Sequence, residues 1–446
     1  MNMNEIIIKK RNGGKLTEEE IRYFVAEYTE GNIPDYQASA LLMAIYFSKM
    51  DEEETFVLTD AMRTSGDVVD LSAISGIKVD KHSTGGVGDK VTLVVGPLAA
   101  ACGVPIAKMS GRGLGFTGGT VDKLESIPGF KTTLEPEEFH KQVEDIGIAL
   151  IGQSGHIAPA DKKLYALRDV TGTVENLSLI SSSIMSKKLA AGSDAIILDV
   201  KCGKGAFMES QDRAEELAGM MCKIGNAAGK RTVAVITDMN QPLGRTVGNS
   251  LEVFEAYDTL KGQGPSDITE LSLHIAGIMI YLGGKAETPE EGAKKAREAM
   301  DSGAGLAKFR ELISAQGGKL DMFDYHDATN SIPVADLQEE IVADRDGYVS
   351  LIDAQLIGLC SQHTGAGRKV KEDSIDPFAG VLLFKKVGDK VEKGEKLATF
   401  YSSDKDKLAS AIEEAGGRDS GAEGKAFVIS QEKPEIPALI KTTIGL

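Results

Sequence analysis

The sequence predicts an α/β protein. A small, discontinuous all-helical domain should join a larger α/β domain with a mixed, partly parallel sheet, followed by a C-terminal β-rich, barrel-sandwich-like subdomain. Three observations carry this. Helical apolar stripes occupy roughly the first 70 residues. From about Ile74, short apolar strands alternate with glycine loops and helices, the rhythm of βαβ units. From about Asp344 the pattern shifts to short strands around Gly388 and Gly394.

Thr17-Glu18-Glu19-Glu20 is a capping box, in which the hydroxyl and the Glu20 carboxylate satisfy each other's backbone amides. Ile21, Phe24, Val25 and Tyr28 then share a helical face. Gly31 stops this helix and Pro34 opens the next, whose buried stripe is Ala38, Leu41, Leu42 and Ile45. A third helix is expected from Glu53 to Ser65.

Ile77-Lys78-Val79 predicts a strand, followed by a loop Lys81–Gly88 and a helix Leu93–Ala101. Val104-Pro105-Ile106-Ala107 predicts the next strand, with a second glycine loop Gly111–Gly119 behind it. Lys162–Arg168 and Ser178–Ala191 again look helical, so the helical domain is expected to resume there. Ala195–Val200 and Thr232–Thr237 predict strands flanking a helix Gln211–Ala228. In the tail, Gly380–Lys386, Val391–Lys393 and Lys396–Tyr401 read as strands. The expected division is 1–70 and 161–192 helical, 71–160 and 193–343 α/β, and 344–446 C-terminal.

At 446 residues the chain exceeds one ordinary domain. Its 50 Lys and Arg against 67 Asp and Glu leave a formal charge of −17, which argues against a broad nucleic-acid or anionic-membrane surface. The four cysteines are scattered, without CxxC pairing, and read as reduced, packed thiols. With no signal-peptide core and no spanning segment, the expected compartment is the cytoplasm.

Three clusters carry chemistry. In Lys81-His82-Ser83-Thr84-Gly85-Gly86-Val87-Gly88-Asp89-Lys90-Val91-Thr92, backbone amides and a helix start can converge on an anion, with Lys81 adding charge and Ser83 and Thr92 hydroxyls. A tight turn with incidental polar residues is the alternative. The second loop, Lys108 to Thr120, offers Lys108, Ser110 and Thr120 beside glycines. Gly113, Gly115 and Gly118 formally match GxGxxG, but no acidic residue sits at a strand end about 20 residues on, since Glu137 and Glu138 open a helix. The third cluster joins Arg168 to Ser183 and Lys187, which are i and i+4 on one helix. It suits a planar, carbonyl-rich heterocycle, although a solvated helical face would have the same spacing.

Taken together, KHSTGGVGDK, KMSGRGLG, TGGTVDKLES, ALRDVTGTV, SSIMSKKLA and KCGKGAFM appear in order, and from Lys10 onward the chain resembles the thymidine and pyrimidine-nucleoside phosphorylases. The resemblance implies reversible phosphorolysis of uridine, deoxyuridine or thymidine, with inorganic phosphate as co-substrate and no nucleotide or flavin cofactor. It implies phosphate on Lys81, Ser83, Thr92, Lys108, Ser110 and Thr120, and the pyrimidine on His82, Arg168, Ser183 and Lys187. His82, Arg168 and Lys187 would act in catalysis. It further implies a homodimer and a potassium ion on backbone oxygens of Gly88, Lys90, Leu243 and Thr246 and the Glu255 carboxylate. Phe116 departs from the family, which commonly has His there, and Thr246 stands where relatives more often have a smaller residue.

Other readings are a thymidine-only phosphorylase and a phosphoribosyltransferase of related fold. The tail Val387 to Leu397 also resembles biotinyl and lipoyl carrier domains, with Ser403-Asp404-Lys405 where a carrier lysine would sit. A purely structural use of the same β-fold is the alternative.

Overall fold

The computed structural model describes residues 1–446 apart from Leu114, Lys371, Glu372, Ala422, Glu423 and the side chain of Asp419. Leu114, quoted in the second glycine loop, therefore lies outside the described residues.

Four helices open the chain: Met3–Arg11, Glu18–Glu30, Asp35–Ser48 and Glu52–Arg63. The Thr17–Glu20 capping box forms, and a second one, Asp51–Glu54, starts the fourth helix. Helix Met3–Arg11 was not expected, because Ile6-Ile7-Ile8 is a contiguous run and not a 3.6-residue stripe. Phe24, Leu41, Ile45 and Leu58 share one core with Ala160, Leu164 and Leu179, which arrive from helices Pro159–Asp169 and Leu177–Ala190. The helical layer is thus drawn from two separate stretches of chain.

The main sheet runs Val79–Ser83, Ala195–Cys202, Arg231–Asp238, Ile440–Ile444, the first three parallel and the last antiparallel. Ala195–Cys202 is buried along its whole length, as a strand covered on both faces must be. A second parallel pair joins Ile106–Ser110 to Ile148–Gly152. Two strands correct the expected boundaries. Val79–Ser83 and Ile106–Ser110 begin two residues late and run through Lys81-His82-Ser83 and Lys108-Met109-Ser110. Lys81 pairs with Ile197 and Ser83 with Asp199, so parallel pairing keeps these polar residues extended. They stand at carboxyl strand ends, where open α/β sheets bind ligands.

The last region contributes to a five-stranded sheet, Asp419–Ser420, Leu337–Ala343, Lys396–Ser402, Gly380–Leu383, Thr246–Gly248, beside a three-stranded one, Lys390–Val391, Gly347–Ile352, Phe427–Ser430. In the larger sheet, Leu337–Ala343 and Thr246–Gly248 come from before the expected boundary at 344. Asp404 caps helix Lys405–Glu414, accepting from the amides of Asp406 and Lys407. Lys405 thus opens a helix and is not displayed at a hairpin tip, which removes the carrier reading.

Candidate active site

Strand alternation sets Lys81 with Ser83 and Lys108 with Ser110 on common faces. The Lys81 ammonium lies 3.2 Å from Asp199 Oδ2 and 3.8 Å from Asp89 Oδ1, and Lys201 Nζ is 2.8 Å from Asp199 Oδ2. Both lysines are within ion-pair reach without being aligned as hydrogen-bond donors. Ser83 Oγ donates to Asp89 Oδ2 at 2.5 Å and accepts from the Gly85 amide at 3.2 Å. Burial alone would raise the Asp89 carboxyl, but Lys81, Lys201 and Lys123 outweigh it and hold it far below the usual range.

Behind this, Asp80 is fully buried between two ammoniums, Lys108 at 3.2 Å and Lys188 at 2.9 Å. Lys108 also donates to the Lys81 carbonyl at 2.5 Å and Lys188 to that of Met109 at 3.2 Å, which ties the two strands together. Burial would raise Asp80, yet the two lysines hold it at about 2. Burial, only partly offset by Asp80, lowers Lys108 to about 8. Burial and then the charges of Lys188 and Lys108 push His82 well below its ordinary value. At neutral pH the imidazole is therefore uncharged, a hydrogen-bonding group more than a proton donor.

The loop Thr84–Lys90 turns back on Gly85 and Gly88, with φ of 98° and 75°. A Cβ at Gly88 would meet the Leu243 carbonyl oxygen at 2.5 Å, so only glycine fits. Thr92 is buried in the first turn of helix Val91–Ala101. In the second loop the Gly113 amide donates to Asp122 Oδ2 at 2.8 Å, and a Cβ at Gly119 would lie 2.1 Å from Gly113 N. These glycines serve the loop's own packing, and the Gly113 amide is already spent, which removes the dinucleotide reading. Thr120 opens the short helix Thr120–Glu125. Phe116 packs on Gly358, whose Cβ would lie 3.0 Å from Phe116 Cδ2, so its ring is turned toward helix Ala354–Ser361.

Among the described residues, the buried side-chain donors without a hydrogen-bond partner include His82 Nε2 and Ser110 Oγ on these strands, together with Lys81 Nζ, which has only its ion pairs to Asp199 and Asp89. Orphaned buried polar atoms cost about 1–3 kcal/mol each, and a cluster at strand ends points to a polar ligand.

On helix Leu177–Ala190, Lys187 donates to Ser183 Oγ at 3.2 Å and to Asp161 Oδ2 at 2.6 Å. Arg168 is 3% exposed and makes its hydrogen bonds to backbone carbonyls. Its guanidinium donates to the carbonyls of Thr173 (3.2 Å), Val174 (2.6 Å) and Leu179 (3.1 Å). Burial, partly offset by Asp161, lowers it to about 10.

The oxygens that the resemblance gives to potassium do not fit a free ion. The Lys90 ammonium takes the carbonyls of Leu243 (3.2 Å) and Thr246 (2.8 Å), the Thr246 hydroxyl (3.1 Å) and the Glu255 carboxylate. The Gly88 carbonyl accepts from Lys90 N and the Lys90 carbonyl from Leu93 N.

Residues 4–66 match the helical bundle domain of the glycosyl transferase family, and residues 75–306 its a/b domain. Residues 348–418 match the pyrimidine nucleoside phosphorylase C-terminal domain. Over 406 residues the chain is 56% identical to pyrimidine-nucleoside phosphorylases of Staphylococcus aureus strains RF122 / ET3-1 and USA300, covering 91% of this chain and 93% of each relative. The chain belongs to the pyrimidine-nucleoside phosphorylase family. In fold it is also similar to the crystal structure of anthranilate phosphoribosyltransferase from Thermus thermophilus. There the TM-score is 0.57 at 21% identity, over 70% of this chain and 99% of that one.

Sequence reasoning missed several residues that pair with the expected site residues or with one another: Asp80, Asp89, Asp161, Lys188, Asp199 and Lys201. For Asp199 and Lys201 a signal existed. Two opposite charges two positions apart interrupt the apolar strand Ala195–Cys202, and buried charges need partners. Asp89 lies in the same glycine-loop segment as its partner Ser83, while Asp80, Asp161 and Lys188 meet residues distant in sequence, on which local spacing is silent.

Proposed function

We propose that this chain, a pentosyltransferase, catalyses the reversible phosphorolysis of uridine, deoxyuridine and thymidine to free base and pentose 1-phosphate. The buried donors His82 Nε2 and Ser110 Oγ, which lack a hydrogen-bond partner beside the ion-paired Lys81 ammonium, carry the reading. Phosphate sits on Lys81, Ser83, Thr92, Lys108, Ser110 and Thr120, and the pyrimidine on His82, Arg168, Ser183 and Lys187. A phosphate oxygen attacks C1′ of the sugar as the glycosidic C–N bond breaks. The bonding electrons move onto the base, and the proton carried by hydrogen phosphate ends on it. Neutral His82 donates to O2, while Lys187 and Arg168 donate to the carbonyl oxygens where charge builds. Asp161 and Ser183 hold Lys187 in place. Two of the five guanidinium N–H groups of Arg168 remain uncommitted in this conformation.

The division into 1–70, 161–192, 71–160, 193–343 and 344–446 belongs to the same proposal, supported by the helical core that unites Leu41 with Leu164. So do a homodimer and a cytoplasmic location; among the described residues no helix is long and apolar enough to cross a membrane. The test follows the ultraviolet change of uridine and thymidine separately, with and without phosphate. Phosphate-dependent cleavage with pentose 1-phosphate as product is expected. Free pentose or equal rates without phosphate would make the enzyme a hydrolase, and thymidine-only cleavage would select the narrower reading.

A further inference from the structure

The turn from Pro242 to Thr246 has the make-up of a monovalent-cation cage: successive carbonyls, a hydroxyl and one carboxylate, all packed under the anion-cradling loop. Every carbonyl in it is already taken. Lys90 Nζ sits on the oxygens of Leu243 and Thr246, and Lys386 Nζ on those of Pro242 and Gly244, the latter at 2.8 Å. The Arg245 carbonyl accepts from the Leu383 amide at 2.7 Å. Each ammonium has its own carboxylate, Glu255 for Lys90 and Asp267 for Lys386 at 2.9 Å. Glu255 is otherwise saturated by the amides of Arg245 and Thr246 and by the Thr246 hydroxyl at 3.0 Å.

Charge settles what the cage accepts. Lys90 is completely buried and Glu255 nearly so, one cation against one anion. A potassium ion beside the ammonium would be a second buried cation without a counter-charge, and buried charge is retained only when paired. An ammonium offers the same charge in a similar size, and here it is covalently attached to the loop it must hold. Lys90 immediately precedes helix Val91–Ala101, which carries Thr92, and follows Asp89, which accepts from Ser83. Its anchorage to Thr246 and Glu255 therefore fixes the loop against strand Thr246–Gly248 and helix Ser250–Leu260.

We propose that the Lys90 ammonium is this enzyme's built-in monovalent cation, a positioning group that makes phosphate binding and turnover independent of potassium. The kinetic arm rests on the phosphorolysis reading; a melting arm does not. In the wild-type protein, replacing choline chloride by potassium chloride at constant ionic strength should leave both the KM for phosphate and the melting temperature unchanged. Lys90→Ala opens the cage and leaves its oxygens. It should melt lower and show a KM for phosphate raised by about tenfold in choline, the usual scale for a disturbed ion site. Potassium should reverse both effects, and the smaller lithium should do so poorly. Lys90→Met keeps the stem in the cage and should not be rescued.

A saturable rise of wild-type activity or melting temperature with potassium would overturn the proposal. So would Lys90→Ala that is indifferent to potassium, or equal rescue of Lys90→Met. If Lys90→Ala does not fold, the wild-type titration still decides. Absence of activity in every salt, with potassium-independent melting, would count against the phosphorolysis reading and leave the cage assignment standing.

Discussion

Asp80→Asn tests the charge arrangement behind the phosphate strands. The side chain keeps its shape and one acceptor, and loses the charge that two buried ammoniums share at 3.2 and 2.9 Å. Held at about 2 instead of 3.8, the carboxylate's ionisation contributes about 2 kcal/mol at neutral pH. Because the folded value is the lower one, that stability is present above 3.8 and is lost as pH falls toward 2. Breaking a buried pair outright costs about 3–5 kcal/mol, so Asp80→Asn should lose about 2–5 kcal/mol by urea denaturation at neutral pH.

Function should change in parallel. Lys108, already lowered to about 8 by burial, loses the group that supports its charge and should be largely neutral at pH 7. The KM for phosphate should then rise by about tenfold, the scale of one lost charged hydrogen bond. The alkaline limb of kcat/KM for phosphate should move to lower pH. Comparing variant and wild type in the same buffers cancels the titration of phosphate itself. For Lys108 the pH slope has the same sign as for Asp80, because its folded value also lies below the unfolded one: its contribution to stability improves from about 8 to 10.5, while phosphate binding weakens there as the ammonium is lost. An unchanged denaturation midpoint with an unshifted pH profile would refute the arrangement.

Arg168→Ala and Lys187→Ala should each lower kcat by roughly 10²–10³, measured beside melting curves; near-normal turnover with unchanged melting would remove that residue from the site. Cytidine should be refused by several powers of ten in kcat/KM, since its 4-amino group would face the donors Arg168 and Lys187. Robust cytidine cleavage would overturn that donor assignment. The helical and α/β parts should close on each other when nucleoside analogue and phosphate are both bound, excluding water from C1′. Small-angle scattering should show compaction, and an identical profile with and without ligands would count against closure.

What was legible in the sequence was local. The Thr17–Glu20 box, the stripe from Phe24 to Ile45 and the i, i+4 pair Ser183–Lys187 each depend on residues a few positions apart, and each formed. The strands were misjudged where polar side chains occupy extended, buried positions. Lys81 looks like a loop residue until Asp199 is placed beside it by parallel pairing. The edge strand Ile440–Ile444 escaped notice because its partner, Arg231–Asp238, lies far back along the chain, and no local pattern ties the two. Lys90 is the sharpest instance. The resemblance assigns only its backbone oxygen, to potassium, while it is its side-chain ammonium that reaches Thr246 and Glu255.

Helix Leu177–Ala190 explains how two ligand sets on different parts of the chain are held to one geometry. Adjacent helical residues point about 100° apart, so Lys187 and Lys188 serve different neighbours. Lys187 reaches Asp161 and Ser183 within the helical layer, and Lys188 reaches Asp80 and the Met109 carbonyl under the phosphate strands. A rotation of the helical layer that preserves the buried Lys188–Asp80 pair must pivot near Lys188. Displacement then grows with distance from that point, so Ser183 and Lys187 move little while groups farther along the layer move more. Arg168 is tied to this layer as well, donating to the carbonyls of Thr173, Val174 and Leu179, the last on this same helix, and feeling the charge of Asp161, which also holds Lys187. The proposed base-holding groups therefore share one helical layer, and the proposed closure would carry them together toward the strands that bear Lys81 and Lys108.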